Sequence, residues 1–228
     1  LKSVAESIEM PLKYYFNNVL GTLVMTKQCK KYNVKRFVFS SSATVYGENK
    51  VPFTETMNPL QSTNPYGESK KMCEKILKDF SRSNPDFSIT ILRYFNPVGA
   101  HKSGLIGDSP SGVPNNLMPY ITQVAKGERE VLKIYGSDYP TADGTGVRDY
   151  IHVVDLALGH VAALEKMKKG VHIYNLGTGK GISVLQIVRT FEQVNNVRVP
   201  FIIVDRREGD IAMCYSDVTK AKNELGWK

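Results

Sequence analysis

The feature that most constrains the fold is an alternation of helical segments with short runs of β-branched and aromatic residues. Apolar residues recur at helical spacing in segments 11–32, 66–84, 117–126, 155–168 and 183–195. Strand-like runs lie at 36–40, 88–94, 131–135, 172–176 and 201–204. This order is typical of a parallel sheet covered by helices, so we predict an α/β fold. A short helix at 219–225, capped by Asp217, ends the pattern.

Composition narrows the classes of partner. The 228 residues are 42% hydrophobic and 23% charged, which fits a folded domain and excludes a disordered or collagen-like chain. Thirty basic less 22 acidic residues give a net charge of +8, which favours an anionic partner. The lysines are spread along the predicted helices and form no basic run interleaved with aromatics, so we predict no nucleic-acid partner.

Cysteine and histidine usage indicates the compartment and the absence of a metal. Cys29, Cys73 and Cys214 are odd in number and far apart in sequence, which favours a reduced, cytoplasmic protein. The four histidines have no metal-ligand spacing, so we predict no metal site. No apolar stretch approaches the roughly 20 residues of a membrane helix, and we predict no membrane association.

Tyr66 and Lys70 are the first candidates for chemistry. Four residues apart on a helix, they share one face, with Cβ atoms about 5–6 Å apart. One positive charge at this distance would lower the pKa of a phenol by about two units. Ser42 follows a predicted strand, at the sheet edge where ligands bind, so its hydroxyl can meet Tyr66. On these residues alone, an amphipathic helix beside a polar turn explains the same pattern.

Six motifs extend the comparison over the chain, at residues 40–47, 64–70, 93–101, 114–120, 143–152 and 207–210. Together and in this order they resemble the UDP-galactose 4-epimerase family, also called UDP-glucose 4-epimerases, which are extended short-chain dehydrogenase/reductases. The resemblance implies a Rossmann-like parallel sheet with a smaller α/β substrate-binding domain. We expect residues 1–100 to form the carboxyl-terminal half of the NAD-binding domain. Residues 101–228 would mainly bind the UDP-sugar, with some segments returning to the first sheet.

The resemblance also implies a reaction, the interconversion of UDP-galactose and UDP-glucose by transient oxidation at sugar C4, with tightly bound NAD as cofactor. Tyr66 would take the proton of the 4-hydroxyl, Ser42 would orient that hydroxyl, and Lys70 would hold the nicotinamide ribose and lower the pKa of Tyr66. The family pairs as a homodimer through helices that match residues 11–32 and 66–82.

Individual contacts follow from the same resemblance. Cofactor contacts are implied for Lys2, Asn17, Asn18, Tyr66, Lys70 and Tyr94. Substrate contacts are implied for Ser42, Ala43, Thr44, Tyr94, Phe95, Asn96, Asn115, Asn116, Leu117, Lys133, Ile134, Tyr135, Arg148, Arg207, Asp210 and Cys214. Among these, residues 133–135 would line the uracil end, and Asp210 would lie near the uridine ribose. Arg148 and Arg207 would clamp the diphosphate, because a guanidinium donates two hydrogen bonds to phosphate at once.

Two positions bear on substrate and reaction type. A small residue at the place of Cys214 goes with acceptance of N-acetylated sugars in this family, so UDP-GalNAc and UDP-GlcNAc are possible substrates. Ala43-Thr44 stands where related dehydratases carry an Asp-Glu pair, which disfavours a sister dehydratase. Another nucleotide-sugar dehydrogenase or decarboxylase of the superfamily, or a non-catalytic nucleotide-sugar-binding fragment, remains an alternative.

The family's glycine-rich cofactor turn is absent from these 228 residues. Gly177-Thr178-Gly179-Lys180-Gly181 lacks the full glycine spacing, and we predict a plain strand-to-helix turn there. We therefore expect the chain to be part of a longer enzyme, and to neither bind NAD nor turn over substrate alone.

Overall fold

A computed structural model describes residues 1–110 and 112–227. The helices are α1 Val4–Glu9, α2 Pro11–Tyr14, α3 Gly21–Lys31, α4 Pro65–Ser83, α5 Leu117–Ala125, α6 Val153–Glu165, α7 Val184–Asn195 and α8 Thr219–Leu225. The strands are β1 Arg36–Ser42, β2 Ser88–Tyr94, β3 Asn96–Val98, β4 Leu132–Tyr135, β5 Val147–Arg148, β6 Tyr150–His152, β7 Gly170–Leu176, β8 Ile182–Ser183, β9 Phe201–Val204 and β10 Met213–Cys214. The predicted α/β class is confirmed.

The main sheet has the order β1-β2-β7, and all its strands are parallel. Its register aligns Ser41 with Arg93 and Asn175, and it aligns Ser42 with Tyr94 and Leu176. The carboxyl ends of the three strands therefore meet at one edge. Strand β7, from the second half of the chain, pairs with β2 in this sheet.

A second group of elements lies around its own core. Strands β4 and β9 pair in parallel, and α5 and α7 pack against them. The buried side chains of this core are Ile121, Val124, Leu132, Ile134, Leu185, Val188 and Val199. Helix α7 begins with a capping box, in which Ser183 accepts a hydrogen bond from the Gln186 backbone and Gln186 accepts one from the Ser183 backbone.

The first helical region differs from its prediction. The expected single helix over 11–32 is divided into α2, a π-helical turn over Tyr15–Leu20 and α3, and the separate helix α1 precedes it. The backbone N–H of Gly21 bonds the carbonyls of Asn17 and Asn18, so ordinary helical hydrogen bonding resumes directly after the π-turn. Such turns are frequent at functional sites.

Short strands also lie outside the strand-like runs predicted from the sequence. The glycine-rich stretch over 136–149 contains β5, and the loop that follows β2 contains β3. Strand β5 lies between β10 and β8, and β3 pairs with β6. The prediction that Asp217 caps α8 is wrong in position, because Val218 is the N-cap and its side chain forms no cap hydrogen bond. Asp217 lies one residue earlier, and its carboxylate accepts a hydrogen bond of 2.8 Å from the Thr219 backbone. Among the described residues, no helix has the length and apolar character needed to cross a bilayer.

Candidate active site

Ser42 is the last residue of β1 and is buried, with 8% of its surface exposed. It forms the N-cap of a 3₁₀ turn over Ala43–Val45. Its Oγ accepts hydrogen bonds from the Thr44 backbone at 3.3 Å and from the Thr44 hydroxyl at 3.0 Å. The predicted serine thus sits at the carboxyl edge of the sheet with its rotamer held by its own turn.

Helix α4 begins beside this turn. The Asn64 side chain caps it by accepting a 2.9 Å hydrogen bond from the Gly67 backbone, and Pro65 occupies the first turn, where a missing N–H costs nothing. A Cβ on Gly67 would lie 2.7 Å from the Thr44 carbonyl oxygen. Glycine at this position therefore permits the close approach that brings Tyr66 to Ser42.

Tyr66 is buried, and its ring packs edge-on against Tyr14 with centroids 6.3 Å apart. Burial raises the pKa of the Tyr66 phenol to about 12, while the adjacent Ser42 hydroxyl lowers it and Tyr94 raises it. Lys70 is not among the groups that shift the pKa of Tyr66 in this structure, so the predicted lowering by Lys70 stays a prediction. The Lys70 Nζ lies 6.0 Å from the ring centroid, and desolvation of the phenol is the main cause of the raised pKa.

Lys70 lies one turn after Tyr66. Its Nζ donates a 2.9 Å hydrogen bond to the Ser40 carbonyl and lies 4.9 Å from the centre of the Phe39 ring. Burial lowers the pKa of Lys70, and the nearby Cys73 raises it by a smaller amount. Lys70 forms no ion pair with a carboxylate among the described residues, so its charge is available to a ligand.

Beneath these residues lies a buried ion pair that the sequence analysis did not assign. Arg93 donates from Nε and Nη2 to the two carboxylate oxygens of Glu74, at 2.8 and 2.6 Å. Ser41 donates to Glu74 Oε1 at 2.7 Å, and all three side chains are 1% exposed. The signal available was Glu74 at helical spacing after Lys70, together with an arginine inside the apolar strand β2.

The predicted cofactor residues of the first helices face the start of α4. Asn18 donates a 3.0 Å hydrogen bond from its amide to Ser69 Oγ, and Asn17 lies in the same π-turn. Lys2 is exposed and precedes α1. The π-turn thus places Asn18 beside Ser69, the residue before Lys70 on α4, whereas Asn17 accepts a hydrogen bond of 3.4 Å from the amino group of Leu1.

Further predicted substrate residues lie at or just after the carboxyl ends of β1 and β2. Tyr94 ends β2 and packs near His160, with ring centroids 5.9 Å apart. Phe95 and Ala43 are buried in one cluster, whereas Asn96 is exposed in β3. Of these predicted substrate residues, Tyr94, Thr44 and Asn96 have side chains accessible to a ligand.

The two predicted phosphate clamps do converge, on one acid. Asp210 accepts a 2.9 Å hydrogen bond from Arg207 Nε, and its other oxygen lies 3.8 Å from Arg148 Nη2. Arg148 also donates to the Val147 carbonyl at 2.9 Å, and the Arg207 guanidinium lies 4.8 Å from the centre of the Tyr135 ring. Both guanidiniums are held in place by groups of the protein, and two positive charges face one negative charge.

Two further residues join this cluster and were not predicted. The Arg206 guanidinium stacks on the Tyr139 ring at 4.1 Å. Burial raises the pKa of Tyr139, Asp210 raises it further, and the three arginines Arg148, Arg206 and Arg207 lower it. A cavity of about 340 Å³ opens beside them and is lined by Glu48, Asn49, Lys50, Val51, Tyr139, Pro140, Arg206, Asp210, Ile211, Ala212 and Met213.

The predicted uracil-binding strand presents only part of its residues. Lys133 is exposed and Tyr135 half-buried, but Ile134 is 1% exposed, within the core formed by α5 and β4. Since side chains alternate along a strand, Ile134 offers a ligand its backbone and not its side chain. At the start of α5, Asn115 is exposed, Asn116 donates to Asp108 at 3.2 Å, and Leu117 packs against the same core.

Cys214 lies in β10, opposite Arg148 of β5. It is buried against Phe95, Ala43 and Tyr46, and burial raises the pKa of its thiol to about 12. The thiol is therefore neutral and acts as a small apolar group between the Ser42 turn and the arginine cluster.

The turn over 177–181 has a structural partner. Asp149 is fully buried and accepts hydrogen bonds from the Thr178 and Gly179 backbones, at 2.7 and 3.0 Å, and from Ser216 Oγ at 2.6 Å. A Cβ on Gly177 would lie 2.5 Å from Asp149 Oδ2. The stretch is thus a turn that follows β7, but it leads to the two-residue strand β8 before α7 begins. Within residues 1–110 and 112–227, no three His, Cys, Asp or Glu side chains are grouped to hold a metal ion, and the three cysteines are buried and free.

Comparison with known proteins agrees with this geometry. Residues 1–177 match the model of the NAD dependent epimerase/dehydratase family. A UDP-glucose 4-epimerase of Pasteurella multocida is 60% identical over 230 residues, which cover all of this chain and 68% of that protein. The chain thus spans about two thirds of its relative.

Solved structures are equally similar. A UDP-glucose 4-epimerase from Bifidobacterium longum, in complex with NAD+ and UDP, superposes with a TM-score of 0.97 at 55% identity, over 100% of this chain and 69% of that chain. One from Stenotrophomonas maltophila, with bound NAD and formylated UDP-arabinopyranose, gives a TM-score of 0.95 at 49% identity, over 100% of this chain and 68% of that chain. The chain therefore belongs to the NAD dependent epimerase/dehydratase family and, within it, to the UDP-glucose 4-epimerases of the extended short-chain dehydrogenase/reductase type.

Proposed function

We propose that this chain supplies the acid–base group and the nucleotide-sugar site for the interconversion of UDP-galactose and UDP-glucose, with NAD as cofactor. The observation that carries the proposal is the meeting of three side chains at one sheet edge. The Tyr66 phenol lies beside the Ser42 hydroxyl, and Lys70 follows one helical turn later. These groups can orient a sugar hydroxyl and exchange a proton with it.

Tyr66 needs a positive neighbour to act as a base near neutral pH. Its pKa of about 12 reflects a buried phenol. A cationic group brought next to the phenol would lower this value, because it favours the phenolate. Lys70 is the candidate within the chain, since it has no acidic partner among the described residues and can turn from the Ser40 carbonyl toward a ligand.

The residues fit NAD at the same edge. Lys70 can reach the hydroxyls of a ribose, and Asn17 and Asn18 approach from the π-turn. When bound, the nicotinamide supplies the acceptor and donor of a hydride at sugar C4. Nearby Thr44 bonds to Ser42, and Ala43 is buried. Because neither is acidic, this site has no pair to remove water from an oxidised sugar, which favours epimerisation over dehydration.

For the substrate, we propose that Arg148 and Arg207 bind the diphosphate. Arg207 is already oriented by its hydrogen bond to Asp210, and Arg148 by its hydrogen bond to the Val147 carbonyl. Little conformational entropy is therefore lost when the phosphate arrives. The small Cys214 between this cluster and the serine turn supports a further proposal, that N-acetylated UDP-hexoses are also accepted.

We propose a division of labour between residues 1–100 and residues 101–228. The core of β1, β2 and α4 contains Phe39, Cys73, Leu77, Ile89 and Ile91, and the core of α5, α7, β4 and β9 is separate from it. The first part carries the chemistry, and the second carries most of the nucleotide-sugar contacts.

We also propose a cytoplasmic homodimer. The three free, buried thiols support a reducing compartment. In the first helical region, Thr22, Thr26 and Cys29 are buried, but Leu12 and Phe16 are 80% and 73% exposed. Paired helices from two copies would cover this apolar surface. In sedimentation, we expect a dimer for the wild type and a monomer for Phe16→Glu. Lys168→Glu, at an exposed lysine between α6 and β7, is the control, and a wild-type monomer would contradict the proposal.

The function is tested in a chimera in which residues 1–228 replace the matching 68% of the Pasteurella multocida relative. We expect the chimera to convert UDP-galactose to UDP-glucose, followed by NMR of the anomeric protons. The 228-residue chain alone, which contains no glycine-rich cofactor turn, should neither bind NAD in calorimetry nor turn over. A folded chimera that binds UDP but never converts the sugar would favour the non-catalytic alternative.

A further inference from the structure

The buried ion pair under the candidate catalytic residues has a position that suggests a role in the reaction. Tyr66, Lys70 and Glu74 follow one another at spacings of four on α4, so they share one face of the helix. A carboxylate one turn from Lys70 would be its natural partner. Yet Lys70 donates to the Ser40 carbonyl, and Glu74 bonds elsewhere.

Arg93 accounts for this arrangement. Its Nε and Nη2 occupy both carboxylate oxygens of Glu74, in the two-pronged geometry that makes such pairs strong. The guanidinium also lies 4.9 Å from the centre of the Tyr46 ring, and Tyr46 in turn donates a 2.7 Å hydrogen bond to Asn175. The Arg93 guanidinium is thus held between Glu74 and the Tyr46 ring, and it stays paired with Glu74.

The same carboxylate reaches the strand that carries Ser42. Ser41 donates to Glu74 Oε1 at 2.7 Å, and Ser41 is paired with Arg93 in the sheet register. One residue later, Ser42 is paired with Tyr94. The ion pair therefore connects α4, β1 and β2 immediately below the three groups proposed for the chemistry.

We propose that Arg93 is a positioning residue, which holds both oxygens of Glu74 so that Lys70 keeps no acidic partner and the end of β1 stays aligned through Ser41. This inference rests on the function proposed above, because it assigns Lys70 a use for its free charge. A buried ion pair often contributes no more to stability than apolar side chains of similar size would. The positioning role gives a reason other than stability for this pair.

Other groups around Lys70 limit what its titration can report. On its own helix these are the Tyr66 phenol, the Cys73 thiol and Glu74. From β1 the Ser40 carbonyl and the Phe39 ring face it. The amino group of Leu1 is also close enough for its pKa to be lowered by Lys70. Of these groups, Glu74 alone carries a carboxylate. If Glu74 is released from Arg93 and pairs with Lys70, the pKa of Lys70 should therefore rise.

The experiment follows Lys70 itself by NMR of ¹³C-labelled lysine in the 228-residue chain, assigned with Lys70→Met. In Arg93→Met, Glu74 loses its partner, and we expect the pKa of Lys70 to rise by about one unit or more as the carboxylate pairs with it. In Arg93→Met/Glu74→Gln, the carboxylate is gone and the pKa of Lys70 should return to within a few tenths of the wild-type value. Circular dichroism checks that each variant is folded.

Arg93→Lys is the second variant, in case Arg93→Met does not fold. A lysine reaches one carboxylate oxygen and frees the other, so a smaller rise is expected. An unchanged pKa of Lys70 in the folded variants would overturn the inference and leave a purely structural ion pair. Kinetics of the chimera give a second readout. In Arg93→Met we expect kcat to fall with little change in KM, and in Arg93→Met/Glu74→Gln we expect kcat to be partly restored. An inactive wild-type chimera would instead count against the proposed function, while the lysine titration would still decide the role of Arg93.

Discussion

The two halves of the candidate site are built in different ways. Ser42, Tyr66 and Lys70 stand on a regular strand and a long helix, and the phenol and hydroxyl are almost completely buried. Arg148 and Arg207 stand on a two-residue strand and a turn, and 41% of the Arg207 side chain is exposed. Groups that move a proton must hold their geometry to a fraction of an ångström. Groups that bind a diphosphate need charge and a path to solvent, which short strands and turns provide.

The difference extends to how each half is held together. In the first half, the Glu74–Arg93 pair, Ser41 and Tyr46 form a buried network in which both charges are matched. In the second half, Asp210 faces two arginines and leaves a surplus of positive charge. The charges of the first half are thus paired within the protein, although Arg93 Nη1 has no hydrogen-bond partner among the described residues. The second half has a surplus of positive charge that favours an anion.

The largest effect on kcat is expected when the phenol oxygen of Tyr66, in the buried half, is removed. Tyr66→Phe removes the phenol oxygen and little else, so the chimera should lose about 10²- to 10⁴-fold in kcat, the usual contribution of a positioned acid–base group. UDP affinity, measured by calorimetry, should stay within about twofold. Tyr32→Phe, at an exposed tyrosine, is the matched control. A Tyr66→Phe chimera with unchanged kcat would remove Tyr66 from the reaction.

The arginine half should respond in affinity instead. Arg207→Met removes a charge-assisted contact with phosphate of about 1.5–3 kcal/mol, so UDP should bind roughly 10- to 100-fold more weakly. Arg82→Met is the control, since Arg82 is exposed in the last turn of α4, pairs with Asp79 and should leave the affinity nearly unchanged. The difference between the two variants should shrink at high salt. Equal losses in both would indicate a diffuse positive surface and not a clamp.

The same contrast explains how much the sequence could predict. The parallel sheet and α4 follow from apolar periodicity and local signals, such as Asn64 and Pro65 at the helix start. The strands β5 and β10 do not, because their pairing depends on contacts between distant segments, such as the 2.8 Å hydrogen bond from the Val147 backbone to the Ala212 carbonyl. The resemblance placed Arg148 and Arg207 together, but their shared anchor Asp210 became visible only in three dimensions.

Two local properties escaped sequence reasoning for a physical reason. The pKa of Tyr66 was expected to be lowered, but burial raises it, and burial depends on everything that packs around the phenol. The Glu74–Arg93 pair was missed because a charged residue inside a predicted helix is usually on the solvent side, and only the packing of α4 on β2 places Glu74 inside.

A smaller effect is expected at Cys214, where the two halves meet. Cys214→Tyr would fill the space beside Phe95 and Ala43. In the chimera we expect turnover of UDP-N-acetylglucosamine to fall by about tenfold or more, with UDP-galactose changed much less, as steric discrimination in pockets allows. Cys214→Ser keeps the size and serves as the control. If the wild type turns over UDP-galactose but no N-acetylated sugar, the proposed breadth is wrong.

The smallest difference between the two halves is expected in alkaline solution, where a buried tyrosine in each half should change the free energy of unfolding in the same way. Burial raises the pKa of Tyr46, beside the ion pair, and of Tyr150, near the arginines, to about 12 in each case, although arginines lower both. An unfolded tyrosine titrates near pH 10, so the folded state keeps these protons longer. Their contribution to stability is therefore fully present below about pH 10 and is lost as the pH rises from about 10 to about 12.

Urea unfolding of the 228-residue chain between pH 7 and 11.5 measures this loss. Tyr46→Phe should remove up to about 1.4 kcal/mol per pH unit from the fall of the unfolding free energy above pH 10. Tyr150→Phe should do the same, while Tyr32→Phe, on the exposed surface, should leave the slope unchanged. If Tyr46→Phe flattened the slope and Tyr150→Phe did not, Tyr150 would titrate as it does in water. The arginine half would then be open to solvent around its buried tyrosine, and the two halves would differ in their cores as well as in their exposed side chains.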